Sequence, residues 1–180
     1  MFEIKTYNLR IVPPSPVYED VLDFKKQFID VFGVQKYSKS KPHLTLVEFK
    51  MDVQYEPFLI KYFSSLSDNL KFKMFLEGLG SFDKALVVLL KVRSSKAFEQ
   101  LLTQIKILWV RDFHRKLKSL KVSGTPHITI SLAKDTDMLF KSMNMFQDKV
   151  YFGEFEVNEL VLVSRPDSKT WDWEHRIPLS

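Results

Sequence analysis

The chain has 180 residues, 45% hydrophobic and 27% charged, with a formal net charge of +5, which suits one globular domain and favours an anionic partner such as phosphate or nucleic acid. It contains no cysteine, so disulfides, thiolate nucleophiles and cysteine-based zinc sites are excluded. No apolar run approaches ~18 residues and Met1-Phe2-Glu3-Ile4-Lys5 does not open a secretory leader, so no membrane span and a cytoplasmic location are expected.

Residues 3–12, EIKTYNLRIV, alternate in polarity and predict a strand. A helix is expected over 15–33, with Ser15 as its cap, Pro16 in the first turn, Glu19 and Asp20 near the positive N-terminus and Gly33 past its end. Its apolar stripe is Val17, Val21, Phe24, Phe28 and Val31. A basic loop, QKYSKSK, leads into KPHLTLVEF at 41–49. The run EPFLIKYFSSLS predicts a shorter helix with Phe58, Tyr62 and Leu66 in line. Residues 70–79 and 85–93 predict two strands around a turn at Gly80 to Lys84. A long helix follows in SKAFEQLLTQIKILWVRDF, burying Phe98, Leu101, Leu102, Ile105, Leu108 and Trp109. A second basic loop, HRKLKSLKVSG, precedes TPHITISLA at 125–133. A capped helix from Asp135 or Thr136 to about Gln147, a strand over 154–164 and a last strand near 171–179 complete the chain.

Strand, helix, basic loop and Pro-His-apolar-Thr strand therefore occur twice, near 3–49 and near 85–132, with the two histidines 84 positions apart (127 − 43). The expected fold is α+β, a single domain over 1–180 built of two pseudo-symmetric lobes. Each lobe is a mostly antiparallel sheet with helices on its outer face, and the cleft lies between them.

In a strand, residues i and i+2 share a face. His43 and Thr45 then project together, opposite Leu44 and Leu46. In the second run His127, Thr129 and Ser131 share one face, opposite Ile128, Ile130 and Leu132. Parity puts Glu48 on the other side from His43, so it is left out of the site. A single His-x-Thr on a strand is ordinary surface or core; two in matching contexts point to function. In-line displacement at a phosphodiester needs a base on the attacking oxygen and an acid on the departing one, and two imidazoles supply both near neutral pH. The χ1-stiff threonines can donate to the non-bridging oxygens where charge builds. No metal-binding histidine cluster, nucleophile elbow, P-loop or dinucleotide fingerprint occurs in the sequence, so no metal and no cofactor are expected.

The paired motifs PHLT at 42–45 and PHIT at 126–129, on strands of two duplicated lobes, resemble those of the 2H phosphoesterase superfamily. The closest branch is the bacterial "2′-5′ RNA ligase" or RNA 2′,3′-cyclic phosphodiesterase group, and the likeness extends to the closing FEVNELVLVSRP…HRIPL. The resemblance implies an ATP- and metal-independent enzyme acting on phosphodiesters or cyclic phosphates at RNA or nucleotide 2′-positions. It carries His43, Thr45, His127 and Thr129 over as the catalytic set, with acid and base left unassigned between the histidines. Charge and position nominate Lys41, Arg115, Lys116 and Lys118 as substrate-binding residues, and Tyr7, Tyr37, Trp171 and Trp173 as aromatics for base stacking, with core packing the commoner role for such rings. His175 is read as structural. The expected partner is RNA or a nucleotide with a 2′,3′-cyclic phosphate or a 2′-5′ linkage, bound by a monomer. A non-catalytic RNA- or nucleotide-binding module and a small-metabolite cyclic phosphodiesterase are the rival readings.

Overall fold

The computed structural model describes residues 3–113, 116–166 and 170–180. In chain order the elements are β1 (Ile4–Ile11), α1 (Val17–Phe32), β2 (Leu44–Asp52), α2 (Glu56–Ser64), β3 (Phe72–Phe82), β4 (Val87–Arg93), α3 (Lys96–Asp112), β5 (Leu117–Val122), β6 (His127–Leu132), α4 (Thr136–Phe146), β7 (Phe152–Val157), β8 (Glu159–Pro166) and β9 (Trp173–Pro178). The strands form two antiparallel sheets, ordered β5-β2-β1-β8-β9 and β6-β4-β3-β7. This is the α+β, two-lobed architecture that the repeat predicts.

The lobes are not the two halves of the chain. The first sheet takes β1, β2 and β5 and then the last two strands, whereas the second is made from the middle. The helices cross over as well. α1 follows β1 of the first sheet but lies against β6 and β7 of the second, where Phe24 meets Phe146 of α4 edge-on at 5.9 Å. α3 follows β4 of the second sheet but sets Trp109 against Phe49 of the first at 4.4 Å. One contiguous apolar core results, running from Tyr7, Leu9 and Phe49 through Ile128 and Ile130 to Phe155 and Leu160.

Several local expectations change. Pro16 occupies the position before α1 and gives no side-chain cap, so Ser15 stands one residue too early to cap it. The first turn is closed instead through the Pro14 and Pro16 carbonyls, which accept from Tyr18 N and Asp20 N at 3.1 Å. Val31 is 62% exposed, whereas Lys25 is buried on the inner face of α1. On α2 the buried line is Leu59 and Phe63, continued by Leu66, with Phe58 turned outward, because the helix meets the core one residue later in phase. The strand expected over 154–164 is two strands that part at Asn158, β7 joining the second sheet and β8 the first. A continuous alternating stretch carries no mark of which sheet each half pairs with. The basic loop before the second motif is largely a strand too: β5 pairs antiparallel with β2 along its edge.

Candidate functional site

β2 and β6 lie side by side where the two sheets meet, and each carries one Pro-His-apolar-Thr motif. The core face of each strand is fully buried at Leu44 and Leu46, and at Ile128 and Ile130, while His43, Thr45, His127 and Thr129 are half-buried. The two imidazoles are held alike. His43 Nδ1 lies 2.8 Å from the Lys41 carbonyl oxygen, and His127 Nδ1 lies 2.8 Å from that of Thr125. A carbonyl only accepts, so Nδ1 carries the hydrogen in both rings and Nε2 is left for chemistry. The Phe82 ring meets His127 edge-on at 4.8 Å and steadies it. Burial lowers the His43 pKa to about 4, and the nearby positive charge of Arg10 adds to the effect along with smaller contributions from Lys25 and His127.

The repeat extends to a distortion that the sequence pattern does not carry. In β2 the register against β1 slips so that Leu9 faces Val47 and Arg10 faces Thr45, leaving Leu46 as an extra residue. In β6 the slip against β4 pairs Val88 with Ser131 and Leu89 with Thr129, leaving Ile130 extra. The bulges are 84 positions apart (130 − 46), like the histidines. Each reverses the alternation beyond it. Glu48, excluded by simple parity, therefore lines the cavity of about 340 Å³ that Thr45 and His127 share. Ser131, expected on the histidine face, is fully buried instead.

Asn8 Nδ2 lies 3.3 Å from Thr45 Oγ1 and 3.3 Å from Glu48 Oε2, while Asn8 Oδ1 accepts from Arg10 Nε at 2.9 Å. With its oxygen accepting from Asn8, the Thr45 hydroxyl has its own hydrogen to donate into the cleft. Asn8, Arg10 and Glu48 were all missed from sequence. Thr6, Asn8 and Arg10 alternating with Tyr7, Leu9 and Ile11 is the signal for the first two: a polar face on a strand whose other face is wholly core. Glu48 had no such signal. The corresponding positions in the other lobe, opposite Leu132 and Thr129, are Val87 and Leu89, so the polar clamp belongs to the His43 side alone.

Lys25 joins the two motifs from beneath. Its Nζ donates to the Tyr37 carbonyl at 2.9 Å and lies 3.3 Å from Ser40 Oγ in the loop before the first motif. It also donates at 2.9 Å to the carbonyl of Ile130, the bulge residue of the second. Burial lowers its pKa to about 8.

The basic candidates are dispersed. Lys41 is exposed beside His43 and lines a second cavity, of about 750 Å³, together with Arg10, Arg165 and Trp171. Lys116 rests its ammonium over the Tyr55, Phe58 and Phe113 rings at 5.2, 5.6 and 5.3 Å, at the end of β5 remote from the motifs. Lys118 is exposed on β5, and Arg115 lies outside the described residues. The β5 lysine that reaches the shared cavity is Lys121. Of the aromatics, Tyr7 is core, stacked on Phe49 at 5.3 Å, and Tyr37 is 47% exposed. Trp173 and His175 stack on each other at 6.1 Å. Trp171 lies before β9 in the larger cavity. Among the described residues no group of three or more His, Asp or Glu is placed to hold a metal ion.

The model of the 2′-5′ RNA ligase superfamily matches residues 13–169. The chain belongs to this superfamily, the 2H phosphoesterases. Solved structures agree on the fold. E. coli LigT in its apo form superposes with a TM-score of 0.66 at 15% identity, over 98% of this chain and 99% of that one. E. coli LigT complexed with 3′-AMP gives 0.65 at 17%, over 99% and 97%. TT0787 of Thermus thermophilus gives 0.67 at 15%, over 97% of both chains. No curated protein matches by sequence. No helix of this superfamily member is long and apolar enough, among its described residues, to cross a membrane.

Proposed function

We propose that the protein is a metal-independent phosphodiesterase that opens 2′,3′-cyclic phosphates of RNA ends or nucleotides, and that the same site, with a ribose 5′-hydroxyl attacking in the place of water and the 3′ oxygen leaving, reversibly joins a 2′-5′ bond. The observation that carries this reading is the matched pair of imidazoles, each fixed through Nδ1 at 2.8 Å to the carbonyl two residues earlier, with Nε2 left for proton transfer. His43, with a pKa of about 4, is neutral at physiological pH and suits the base. Its Nε2 takes a proton from water as the water oxygen bonds to phosphorus. The phosphorus bond to one ribose oxygen breaks, and that oxygen receives the proton from His127 Nε2. Thr45, turned outward by Asn8, and Thr129 donate to the non-bridging oxygens as their charge grows. Lys41 and Lys121 hold the anion near the site. Lys116 and Lys118 sit further along β5, where a longer RNA would reach them; Arg115 is the third member of that basic segment.

Turnover of adenosine 2′,3′-cyclic phosphate and of a short RNA ending in a cyclic phosphate, in excess EDTA and without ATP, tests the reading. Both are expected to be opened. Turnover of neither would leave a binding module, turnover of the nucleotide alone a small-molecule enzyme, and activity restored only by a divalent cation would reject the metal-free mechanism.

A further inference from the structure

The inner face of α1 is apolar except at one place. Val17, Val21, Phe24 and Phe28 are buried there, and so is Lys25, at 2% exposure. Among the described residues its ammonium bonds only neutral oxygens: the carbonyls of Tyr37 and Ile130 and the hydroxyl of Ser40. A charge buried without a carboxylate is costly, and a methionine or leucine would fill the same space without that cost. What the ammonium joins gives the reason for its presence. It carries three hydrogens, these three oxygens take all of them, and none of the three belongs to α1.

Two of those oxygens lie in the loop that delivers His43. Tyr37 has φ at 69°, a left-handed backbone that a residue with a side chain keeps only where its surroundings hold it. Its carbonyl accepts from Ser40 N at 3.0 Å and from Ser40 Oγ at 2.7 Å as well as from Lys25. The loop fixed in this way presents the Lys41 carbonyl to His43 Nδ1. The third oxygen belongs to the other motif: Ile130 is the bulge residue of β6, directly after Thr129. A backbone bond runs parallel to this tie, from Leu132 N to the Lys36 carbonyl at 2.9 Å. We infer that Lys25 is the positioning residue of the cleft: one buried ammonium sets the separation of the two motifs, and with it the alignment of both imidazoles on one phosphorus. The inference rests on the proposed reading of the cleft. Lys25 acts from beneath and does not touch the substrate, yet in-line displacement is sensitive to it, because a misplacement of about 1 Å costs about 10²-fold in rate.

Lys25→Met, whose stem fills the same space, is expected to lower kcat for adenosine 2′,3′-cyclic phosphate about 10-fold or more, with KM changed by less than about threefold. Both are read on the plateau of the pH profile, where His43 is unprotonated. Val21→Ala opens a cavity on the same face of α1 and controls for lost stability; its kcat is expected to hold. With 15N-labelled histidines, inorganic phosphate is expected to move the His43 and His127 Nε2 resonances together in the unsubstituted protein, and only one of them in Lys25→Met. Since the chain has no cysteine, Lys25→Cys can be alkylated at that one place before refolding. An S-aminoethyl group returns the ammonium and an S-propyl group only the stem, so the first alone is expected to restore kcat, whether or not Lys25→Met folds. Unchanged kcat in Lys25→Met, an equal loss in Val21→Ala, or equal recovery with both alkyl groups would overturn the role. If phosphate moves both resonances in the unsubstituted protein and one in the variant, but no cyclic phosphate is turned over, the catalytic reading fails and the positioning role stands.

Discussion

At neutral pH a histidine with a pKa of about 4 is unprotonated in nearly every molecule, so His43 is always ready to accept a proton. The acid limb of the pH–rate profile should therefore fall near pH 4 and not near 6.5. Arg10→Gln removes part of the positive charge that depresses the group, and it should move that limb upward. A profile whose acid limb stays put in the variant would show that Arg10 does not set it. The same shift ties stability to pH. The unfolded chain, with the ordinary histidine pKa of 6.5, binds more protons than the folded one between about 4 and 6.5, so His43 costs stability as pH falls through that window. His43→Ala and His127→Ala should each lower kcat by about 10²–10⁴-fold, and the double variant should lose less than the product, because the pair acts as a unit. Asn8→Leu should lower kcat about tenfold with little change in KM, since the Thr45 hydroxyl loses the contact that turns its hydrogen toward the phosphate. A change confined to KM would assign Asn8 to binding.

The two bulges act at the scale of the strand. Without the extra residue at Leu46, Glu48 would face the core and Val47 the cleft, and without Ile130 the buried Ser131 would turn to solvent. Each bulge residue has its carbonyl tied down. Ser123 N donates to the Leu46 carbonyl at 2.9 Å, and Lys25 Nζ does the same for Ile130. A backbone amide in one lobe is replaced by a buried lysine in the other. Lys25→Met keeps the apolar stem but leaves the Ile130 carbonyl without that donor, at a cost of about 1–3 kcal/mol. Urea unfolding should show this as a lower midpoint at unchanged slope. Greater stability in the variant would mean that burying the ammonium costs more than its three contacts return.

Across the whole molecule the crossed helices and the parting at Asn158 bind the lobes into one unit. α1 and α3 each leave one sheet to cover the other, and β7 and β8 sit in different sheets with a single residue between them. With the core shared, neither sheet has a complete apolar cover of its own. Thermal unfolding should therefore be one cooperative transition, with tryptophan fluorescence, which reports on the first sheet through Trp109 and Trp173, tracing the same curve as far-ultraviolet circular dichroism. Two separated transitions would show the lobes to be independent. A fragment ending at residue 67 should not fold, because β8 and β9 of its sheet come from the far end of the chain.

The sequence by itself determined the repeat, the place of most elements and the pairing of each histidine with a threonine two residues on. These depend on local rules: alternation puts His43 and Thr45 on one face whatever the strand pairs with. Gly33, past the end of α1 with φ at 71°, is legible for the same local reason. What only the tertiary structure decided depends on partners distant in the chain. Glu48 joins the site because β1 pairs with a one-residue slip, Asn8 and Arg10 because β1 lies beside β2, and Trp171 because the last strand returns to the first sheet. The stretch 154–164 divides because its halves find hydrogen-bond partners in different sheets. A period-2 pattern records which side of a strand is buried, and it records neither the neighbour nor the register that gives the buried side its meaning.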